Sequence, residues 1–507
     1  MKNPSLVQGA IVLTMAAFIT KILGFGSNII QSRLLGPEGV GLIMMVMPLM
    51  GLMMTLTTLG LPMAVSRAIA KAGSDQGEVR QIIRLALAIS GSISLLLVFI
   101  IITWGGKFAL YFLADRRSYY SLMALTPVIP LLAVSGIFKG YFNGRKQMNP
   151  LAISQILEQL VRISLLYTLV TKLLPRGVEI AAAGAVLASV AGETACLSYL
   201  WLTFKRSQKF PRGTASSGKK DILLDLLQIG LPTTGSSLFR SLLRAIQPIL
   251  ITQCLLVAGY SPQGITAEYG ILTGFVMPLL FFPGFINHSL ALTLVPGVSE
   301  ASAKGKENLV CHRIHRATRA SLLVGVPSTV ILFLFSTELV TLIYKAPEAG
   351  PLLRLLAPMF LFQYFHSPLQ ASLIGLGQGT IPMVNNFIAK GVGLALIYPL
   401  AVSLNLGIYG AALGIGVGVI LETLFHFIAL IRLIDYSIKI TEVAHILACG
   451  LIMALAGHFI FAYLQQSPFP TTSITCLSIL GALLVYLLSI LGTGVLKLAE
   501  LRGLRPF

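Results

Sequence analysis

The chain has 507 residues, of which 55% are apolar and only 11% are charged. A soluble domain carries about 25% charged residues, so this composition excludes an ordinary soluble protein and indicates one surrounded mostly by lipid. The formal net charge of +19 does not require a nucleic-acid partner, because the basic residues follow the pattern of a membrane protein.

Apolar runs of about twenty residues, the length that crosses a bilayer as a helix, recur along the whole chain. Because a backbone in lipid must satisfy its own hydrogen bonds, we expect each run to be helical. The first run continues past Lys21 to Ser32 without a small-x-small cleavage motif, which is typical of a membrane helix rather than a removable signal sequence. In chain order, the predicted helices are residues 5–32, 40–66, 81–105, 120–142, 151–172, 180–204, 222–256, 269–299, 314–343, 352–375, 382–404, 408–431, 442–465 and 471–496.

The basic residues indicate how these helices are oriented. With a cytoplasmic N-terminus, the predicted inner segments hold roughly three times as many Lys and Arg residues as the outer ones. This positive-inside pattern predicts that both termini are in the cytoplasm. The apolar runs predict an all-α, multi-pass protein of the cell membrane with about fourteen transmembrane helices.

The chain also repeats itself at an offset close to 230 residues. Four short matches occur in the same order in both halves, so chance is a poor explanation in spite of the apolar composition. The matching segments are Val46–Leu49 with Val276–Leu279, Val65–Lys71 with Val298–Lys304, Gly144–Gln147 with Gly375–Gln378, and Glu193–Thr194 with Glu422–Thr423.

The repeat unit contains six predicted helices, an even number, so both halves enter the membrane from the same side. We therefore predict two parallel six-helix lobes, at residues 1–215 and 216–435, followed by two helices and a cytoplasmic tail at 436–507. Transporters with such halves bind their substrates between them, near the midplane of the membrane.

The helices predicted at 40–66 and 269–299, which are equivalent in the repeat, both carry helix-breaking residues. Proline permits a bend where neighbouring groups or water satisfy the freed carbonyl groups. Such bends serve either gating or static packing, and the pattern favours neither. The candidate gating prolines are Pro48, Pro62, Pro278 and Pro283.

If His, Tyr and Cys are left out, eight ionisable residues are placed well inside the predicted spans, where exposure to lipid would cost about 2.5–3.5 kcal/mol each. They are therefore expected to pair with one another or to face a hydrated cavity. Glu158 and Arg162 are spaced i,i+4 and can pair directly. The eight residues are Lys21, Glu158, Arg162, Glu193, Arg240, Arg244, Lys390 and Glu422.

Arg240 and Arg244 have the same spacing but like charges, which is unfavourable unless an anion or a carboxylate lies opposite. The eight residues together carry a net charge of +2, which suits an anionic ligand because guanidinium groups match phosphate oxygens. The alternative is that Glu193 and Glu422 only neutralise the two arginines or Lys21.

Motifs of known enzyme classes are absent, including H-E-x-x-H, G-x-S-x-G, the P-loop and the nucleotide-binding glycine fingerprint. The five cysteines are scattered without C-x-x-C spacing, so neither a disulfide frame nor a metal site is expected. The histidines His288, His366, His426 and His458 are isolated in the sequence and are interpreted as satisfied interior groups rather than ligands. We expect a protein that is not an enzyme, has no cofactor, and is driven by ions, membrane potential or a substrate gradient.

Several longer segments resemble one known family. Residues 35–42 (LGPEGVGL), 144–147, 148–155 (MNPLAISQ), 181–185 (AAAGA) and 231–236 (LPTTGS) carry the resemblance. They resemble the polysaccharide-exporter branch of the MOP (multidrug/oligosaccharidyl-lipid/polysaccharide) superfamily. The likeness covers the first twelve predicted helices and, more loosely, the last two.

The resemblance implies a fourteen-helix fold with two six-helix lobes around a central cavity. Relatives include lipid II flippases, which move a polyprenyl-diphosphate-linked glycan outward by alternating access and hold it with basic cavity residues. The resemblance also implies a role in making spore-cortex peptidoglycan. It implies a lipid-linked glycan and membrane lipids as ligands, cortex-synthesis enzymes as candidate partners, and the forespore outer membrane as the location.

By its position on the first helix, Lys21 matches the cavity-lining basic residues of the family. Arg162, Arg240 and Arg244 join it as predicted substrate-binding residues on the grounds of charge and spacing. The sequence departs from some lipid II flippases because residues 269–299 contain no Arg or Lys. The predicted charge network that supports the site is Glu158, Glu193, Lys390 and Glu422.

Three functions are compatible with these features. The first is a flippase for a polyprenyl-diphosphate-linked glycan, with lipid II of the spore cortex as the expected substrate. The second is a cation-coupled exporter of small molecules from the same superfamily, which would favour a carboxylate-rich site. The third is a membrane partner of cortex-synthesis enzymes that transports nothing, in which the intramembrane charges would be structural only.

Overall fold

The computed structural model describes residues 6–73, 75–113, 115–207, 218–437 and 439–494. Within these ranges the chain forms helices and no strand, which confirms the predicted all-α class. The chain divides into two compact units, unit 1 at Met1–Gly270 and unit 2 at Ile271–Phe507. The predicted lobe boundary at 215/216 lies outside the described residues, and the division into lobes stays a prediction.

Unit 1 contains nine α-helices among its described residues, and a short 3₁₀ turn joins the sixth to the seventh. They are α1 (Leu6–Thr58), α2 (Leu61–Ala72), α3 (Gln76–Phe112), α4 (Ser118–Leu125), α5 (Val128–Gly144), α6 (Met148–Leu173), α7 (Val178–Ser207), α8 (Lys219–Val257) and α9 (Pro262–Gly270).

Unit 2 contains ten α-helices among its described residues, with π-helical turns at Ile271–Val276 and Pro399–Ser403. They are α10 (Met277–Phe281), α11 (Gly284–Ala303), α12 (Glu307–Leu334), α13 (Ser336–Tyr344), α14 (Gly350–Phe360), α15 (Gln363–Gly375), α16 (Thr380–Tyr398), α17 (Gly407–Ile434), α18 (Ile440–Leu464) and α19 (Thr471–Gly492).

Twelve segments of the described chain are helical, long and apolar enough to cross a membrane. Two features account for the difference from the predicted fourteen. The helices predicted at 5–32 and 40–66 belong to one helical stretch, Met15–Ala72, and the helix predicted at 352–375 is divided by a turn at 361–362. The chain is a multi-pass membrane protein, and the count of fourteen stays a prediction.

The connection expected at residues 33–39 is a kink and not a loop. Gly36 has φ 65° and ψ −177° inside α1, a conformation open to glycine, and Pro37 follows it. The helix predicted at 40–66 ends early instead, because Leu59 and Gly60 both have positive φ (44° and 64°). The chain therefore leaves the first helix at Leu59 and Gly60 and not at residues 33–39, where the sequence predicted a connection.

The glycines of the segment LGPEGVGL have a packing role. A Cβ atom on Gly41 would lie 1.9 Å from the carbonyl oxygen of Thr266, and one on Gly270 would lie 2.1 Å from the carbonyl oxygen of Pro37. The backbones of α1 and α9 are therefore in direct contact, and only residues without side chains fit there.

The four candidate gating prolines lie in two kinds of place. Pro62 and Pro278 are in the first turns of α2 and α10, and Pro283 directly precedes α11, where proline's missing N–H costs no helical hydrogen bond. Pro48 lies inside α1. The single helix predicted at 269–299 is wrong, because the π-helical turn and the break before α11 divide it. The gating role stays a prediction.

The last two helices pack on α12 within unit 2. Leu322 and Val326 of α12 share an apolar cluster with Ile446 and Met453 of α18 and with Ala482 of α19. Polar contacts fix the arrangement at its edge. Glu442 of α18 contacts two side chains of α12: its Oε2 lies 2.7 Å from His315 Nε2, and its Oε1 lies 2.8 Å from Arg319 Nε.

Candidate functional site: two buried charge clusters

Unit 1 encloses charged side chains where α5, α6 and α7 meet. Lys139 Nζ of α5 lies 3.5 Å from Glu193 Oε1 of α7, and the Ser135 hydroxyl donates a hydrogen bond to the same oxygen. On α6, Arg162 Nη2 donates to Glu158 Oε1, so the predicted i,i+4 pair is present. Glu193 is only 4% exposed, and its charge therefore depends on these partners. We call these five residues the unit 1 cluster.

The packing of α6 against α7 explains why the unit 1 cluster forms here. A Cβ atom on Gly192 would lie 2.7 Å from the carbonyl oxygen of Glu158 and 3.3 Å from Cβ of Arg162. Because Gly192 has no side chain, the two helices approach closely. Glu193, the next residue, is thereby brought against the turn of α6 that carries both charges.

The same place has some features of a metal site. Glu158, Glu193 and Cys196 have ligand atoms within 4.8 Å of one another. However, the ammonium group of Lys139 lies against Glu193, so a cation of the chain already neutralises carboxylate charge there. We interpret the arrangement as an ion network rather than a metal centre.

Lys139 is missing from the predicted set of intramembrane charges, although it lies inside the helix predicted at 120–142. A lysine so close to a helix end is expected to extend its ammonium group to the interface. Instead, α5 continues to Gly144 and Lys139 turns towards Glu193. The structure therefore gives Glu193 a cationic partner, Lys139, that the sequence analysis did not name. Little in the sequence indicated this contact, because Lys139 lies only three residues before the predicted helix end at residue 142.

Lys21 lies close to the unit 1 cluster along the chain of α1. Gln159 Nε2 of α6 donates a hydrogen bond of 3.2 Å to the carbonyl oxygen of Thr20. The first part of α1 thus crosses α6 beside the turn that carries Glu158 and Arg162, and the exposed side chain of Lys21 follows at the next position.

Arg240 and Arg244 lie on α8, apart from the ion pair of α6. Both side chains are exposed, one turn apart, and Arg240 Nη2 donates to Ser237 Oγ at 3.2 Å. A contact of 2.8 Å between the hydroxyl groups of Thr55 and Ser241 joins α8 to α1 at the same level. The structure therefore presents these two arginines on an exposed helix face within an apolar span.

Unit 2 contains a second cluster, around Glu422 of α17, which is 4% exposed. Asn386 Nδ2 of α16 donates to Glu422 Oε1, and His366 Nδ1 of α15 lies 3.5 Å from the same oxygen. His426 Nδ1 is 2.5 Å from the carbonyl oxygen of Glu422, and its ring centroid is 5.4 Å from that of His366. Lys390 lies one turn after Asn386 on α16. These five residues form the unit 2 cluster.

The two clusters correspond in the internal repeat. Glu193 and Glu422 match at an offset of 229, and the offset of 231 between Gly144 and Gly375 also relates Ser135 to His366. Two of the histidines interpreted as separate interior groups, His366 and His426, are neighbours in space, because α15 and α17 bring them together. The sequence gives no local sign of this, since the two histidines are 60 residues apart.

A polar cavity of about 640 Å³ lies in unit 1 beside the segment that joins α3 to α4. This segment, which contains Asp115 and Arg117, lies between two membrane-spanning segments. Arg116, Tyr119, Tyr120 and Glu179 line the cavity together with Arg117.

Arg117 is held beside this cavity by two carboxylates. Its Nη1 lies 2.5 Å from Glu38 Oε1 and its Nη2 lies 2.8 Å from Asp115 Oδ2, which also accepts a hydrogen bond of 2.6 Å from Thr266. Burial alone would raise the pKa of Asp115, but the hydrogen bonds from Arg117 and Thr266 outweigh it and lower that pKa. Hydrogen bonding to Asp115 in turn raises the pKa of Arg117 against the effect of burial.

Two family models match the chain. The model described as "Polysaccharide biosynthesis protein" matches residues 6–302, more than half of the chain. The model described as "MatE" matches residues 247–398.

Several curated proteins of Bacillus subtilis (strain 168) are similar to the chain over most of its length. Stage V sporulation protein B is 40% identical over 470 residues, which cover 91% of each chain. Sporulation protein YkvU is 31% identical and covers 86% of this chain and 97% of its own. Lipid II flippase MurJ is 25% identical and covers 86% of this chain and 85% of its own.

Solved structures share the fold at low sequence identity. The inward closed conformation of lipid II flippase MurJ superposes with a TM-score of 0.72 at 15% identity, covering 95% of this chain and 98% of the other. The inward-facing conformation of a multidrug resistance MATE family transporter of the MOP superfamily gives a TM-score of 0.67 at 17% identity, covering 84% and 98%.

Proposed function

Because this chain belongs to the polysaccharide biosynthesis protein family of the MOP superfamily, we propose that it is a flippase for a lipid-linked glycan precursor. The precursor is a polyprenyl-diphosphate-linked glycan, and lipid II for spore-cortex peptidoglycan is the substrate we propose. The similarity to a sporulation protein and to a lipid II flippase supports this assignment. In this proposal both termini are cytoplasmic and the protein acts in the forespore outer membrane.

The exposed pair Arg240 and Arg244 is the observation that carries the proposal. Like charges one turn apart are unfavourable in an apolar span unless an anion lies opposite. The two acids of the unit 1 cluster are engaged elsewhere, Glu193 with Lys139 and Glu158 with Arg162. A diphosphate satisfies two neighbouring guanidinium groups, because each can form paired hydrogen bonds with phosphate oxygens.

The mechanism we propose is alternating access. The diphosphate-sugar head enters from the cytoplasmic leaflet and is held by Lys21, Arg162, Arg240 and Arg244, while the polyprenyl tail stays in lipid. In the unit 1 cluster, Glu158 balances the charge of Arg162 when no substrate is bound. The head group leaves on the outer side, where burial no longer opposes its charge.

A cellular experiment tests the cationic site. In a spore-forming host that lacks the gene, the Arg240→Gln/Arg244→Gln variant is expected to reach the membrane at the normal level but to fail to restore the cortex. The matched control is Lys219→Gln/Lys220→Gln, which removes the same charge from the exposed start of the same helix. Cortex formation by the arginine variant would contradict the proposed site.

The match of residues 247–398 to the MatE model supports a second candidate, a cation-coupled exporter of small molecules. This alternative places the substrate near carboxylates rather than arginines. Substitution of Glu193 and Glu422, with both arginines intact, would then abolish export of an organic cation, which vesicle uptake measurements would detect.

A further inference from the structure

We propose that the polar cavity of unit 1 is a saccharide-binding site, which holds a neutral glycan by charged side chains and aromatic rings. Its volume of about 640 Å³ lies within the usual range of ligand pockets. The residues that we assign to the site are Arg116, Glu179, Tyr119 and Tyr120. Its use for the glycan of a flipped lipid rests on the proposed function, but its ability to bind a saccharide does not.

Hydrogen bonds fix the segment that carries Arg116. Asp115 Oδ1 accepts from the backbone N–H of Arg117 at 2.9 Å and from its Nε at 3.1 Å. Asp115 is only 4% exposed, and its Oδ2 also accepts a hydrogen bond from Thr266 of α9. Because two carboxylates occupy Arg117, its guanidinium holds the wall of the cavity in place, and Arg116 is the cation that meets a ligand.

Helix α1 joins this segment to the start of α7. Glu38 of α1 accepts a hydrogen bond from Arg117 Nη1. A Cβ atom on Gly39, the next residue, would lie 3.1 Å from Cγ2 of Val178, so α1 packs closely on the first residue of α7. Glu179 follows Val178 and lines the cavity. The acidic and basic residues of the site are therefore held by the same packed helices, and a ligand meets groups that are already in position.

The polar groups of the site are available to a ligand. In the part of the chain that the structure describes, no hydrogen bond or ion pair engages the Arg116 guanidinium, the Glu179 carboxylate or the hydroxyl groups of the two tyrosines. The guanidinium only donates, the carboxylate only accepts, and each phenol does both. Sugar hydroxyl groups are donors and acceptors at once, so a saccharide can satisfy this mixed set.

The two tyrosines add aromatic surface to the cavity. Their ring centroids are 6.1 Å apart, their planes are inclined at 71°, and Tyr120 is 50% exposed. Gly106 of α3 also lines the cavity, and a Cβ atom there would lie 3.9 Å from Cε2 of Tyr119. Since Gly106 has no side chain, the space beside that ring stays open. The C–H groups on one face of a pyranose ring are apolar and pack on the electron-rich face of an aromatic ring.

The mixed charges of the site favour a neutral glycan over a phosphate group. Arg116 would attract a phosphate, but the Glu179 carboxylate lines the same cavity and would repel it. Arg117 adds no net attraction, because its two carboxylate partners carry more charge than it does. The cavity thus differs from the arginine pair of α8, which presents two like charges to a diphosphate.

The position of the cavity along the chain suggests which step of transport it serves. In the proposed orientation the N-terminus is cytoplasmic, and three predicted spans precede the segment that joins α3 to α4. This segment therefore lies on the outer side of the membrane. The site receives the glycan head group there as it leaves the protein.

A soluble sugar tests the site without any transport. Chitobiose, the disaccharide of N-acetylglucosamine, is titrated into the purified full-length protein in a detergent that has no sugar head group, and binding is followed by saturation-transfer NMR. We expect Glu179→Gln, Arg116→Gln and Tyr120→Ala each to weaken binding about tenfold. The matched controls are Lys172→Gln and Tyr167→Ala, two exposed residues of α6 outside the cavity, and they should bind as the wild type does.

A variant that fills the cavity keeps every polar group. Gly106→Leu should abolish chitobiose binding while its thermal-unfolding profile stays like that of the wild type, because a Cβ atom at this position makes only an ordinary contact. Chitobiose binding by Gly106→Leu at the wild-type level would overturn the proposal. So would the absence of chitobiose binding by the wild type.

A parallel titration with pyrophosphate distinguishes a saccharide site from an anion site. Removal of the Glu179 charge weakens the binding of a sugar but strengthens the binding of an anion. Pyrophosphate binding that is lost in Arg116→Gln and strengthened in Glu179→Gln would therefore overturn the proposal. Pyrophosphate binding that is unchanged in both variants agrees with it.

Reconstitution separates this site from the flippase assignment. If chitobiose binding depends on Glu179 but the wild type moves no lipid II in liposomes, the saccharide site stands and the flippase assignment fails. If the wild type moves lipid II but binds no chitobiose, the flippase assignment stands and the saccharide site fails.

Discussion

Replacement of Lys139 by Met is expected to destabilise unit 1 more than any other single loss of charge in the cluster. The Lys139 and Glu193 side chains are 3.5 Å apart and 29% and 5% exposed, respectively. At an effective dielectric constant of about 20, charges at this distance attract by about 5 kcal/mol. The partial exposure of Lys139 reduces this, so we expect Lys139→Met to cost about 3 kcal/mol, because it leaves Glu193 with a buried charge.

A double-mutant cycle measures this coupling. The full-length protein in detergent is unfolded as the wild type, Lys139→Met, Glu193→Gln and the double variant, and the four free energies of unfolding are compared. The double variant is expected to be at least about 2 kcal/mol more stable than the sum of the single effects indicates, because both buried charges are then gone. Strictly additive effects would refute the view that this pair neutralises the interior of unit 1.

Three further predictions concern other contacts. Gly41→Ala is expected to cost about 3 kcal/mol of unfolding free energy, because its Cβ would lie 1.9 Å from the Thr266 carbonyl oxygen. The control Gly51→Ala, whose Cβ would have no atom within 4 Å, should be neutral or slightly stabilising. Comparable losses of stability in thermal unfolding would contradict the close packing of α1 on α9. The lowered pKa of Asp115 adds stability above its ordinary value near 3.8, which is lost as the pH falls through the lowered pKa. The melting temperature of the wild type should therefore exceed that of Asp115→Asn at neutral pH, with a gap that closes below about pH 4; a gap independent of pH would contradict this. Glu442→Gln should lower the stability of unit 2 by about 1–2 kcal/mol, because it weakens the contacts to His315 and Arg319. The control Glu300→Gln removes a charge from an exposed pair with Lys304 and should cause no measurable change in the same unfolding assay.

The helical architecture could be predicted because long apolar runs in a membrane have few alternatives to helix. The breaks could not, because they depend on packing between distant segments. Gly36 and Gly60 both have positive φ, yet the first is a kink within α1 and the second ends that helix. The local i,i+4 pair of Glu158 and Arg162 could be predicted from spacing alone.

The partners of the two repeat-related carboxylates were beyond prediction from spacing. The internal repeat indicated that Glu193 and Glu422 correspond. Their partners are distant in the sequence, since Lys139 is 54 residues from Glu193 and His366 is 56 residues from Glu422. Only the packing of three helices in each unit brings these groups together. Glu193 contacts the ammonium group of Lys139, whereas Glu422 contacts Asn386 and His366, although both carboxylates are followed by a threonine.

Reconstitution tests the central claim most directly. Purified wild-type protein and the Arg240→Gln/Arg244→Gln variant are placed in liposomes, and movement of lipid II between leaflets is followed under several ion gradients. We expect movement by the wild type and none by the variant, with Lys219→Gln/Lys220→Gln behaving like the wild type. Movement by the arginine variant at the wild-type rate would contradict the cationic site, and no movement by the wild type under any gradient would contradict its assignment as a lipid II flippase.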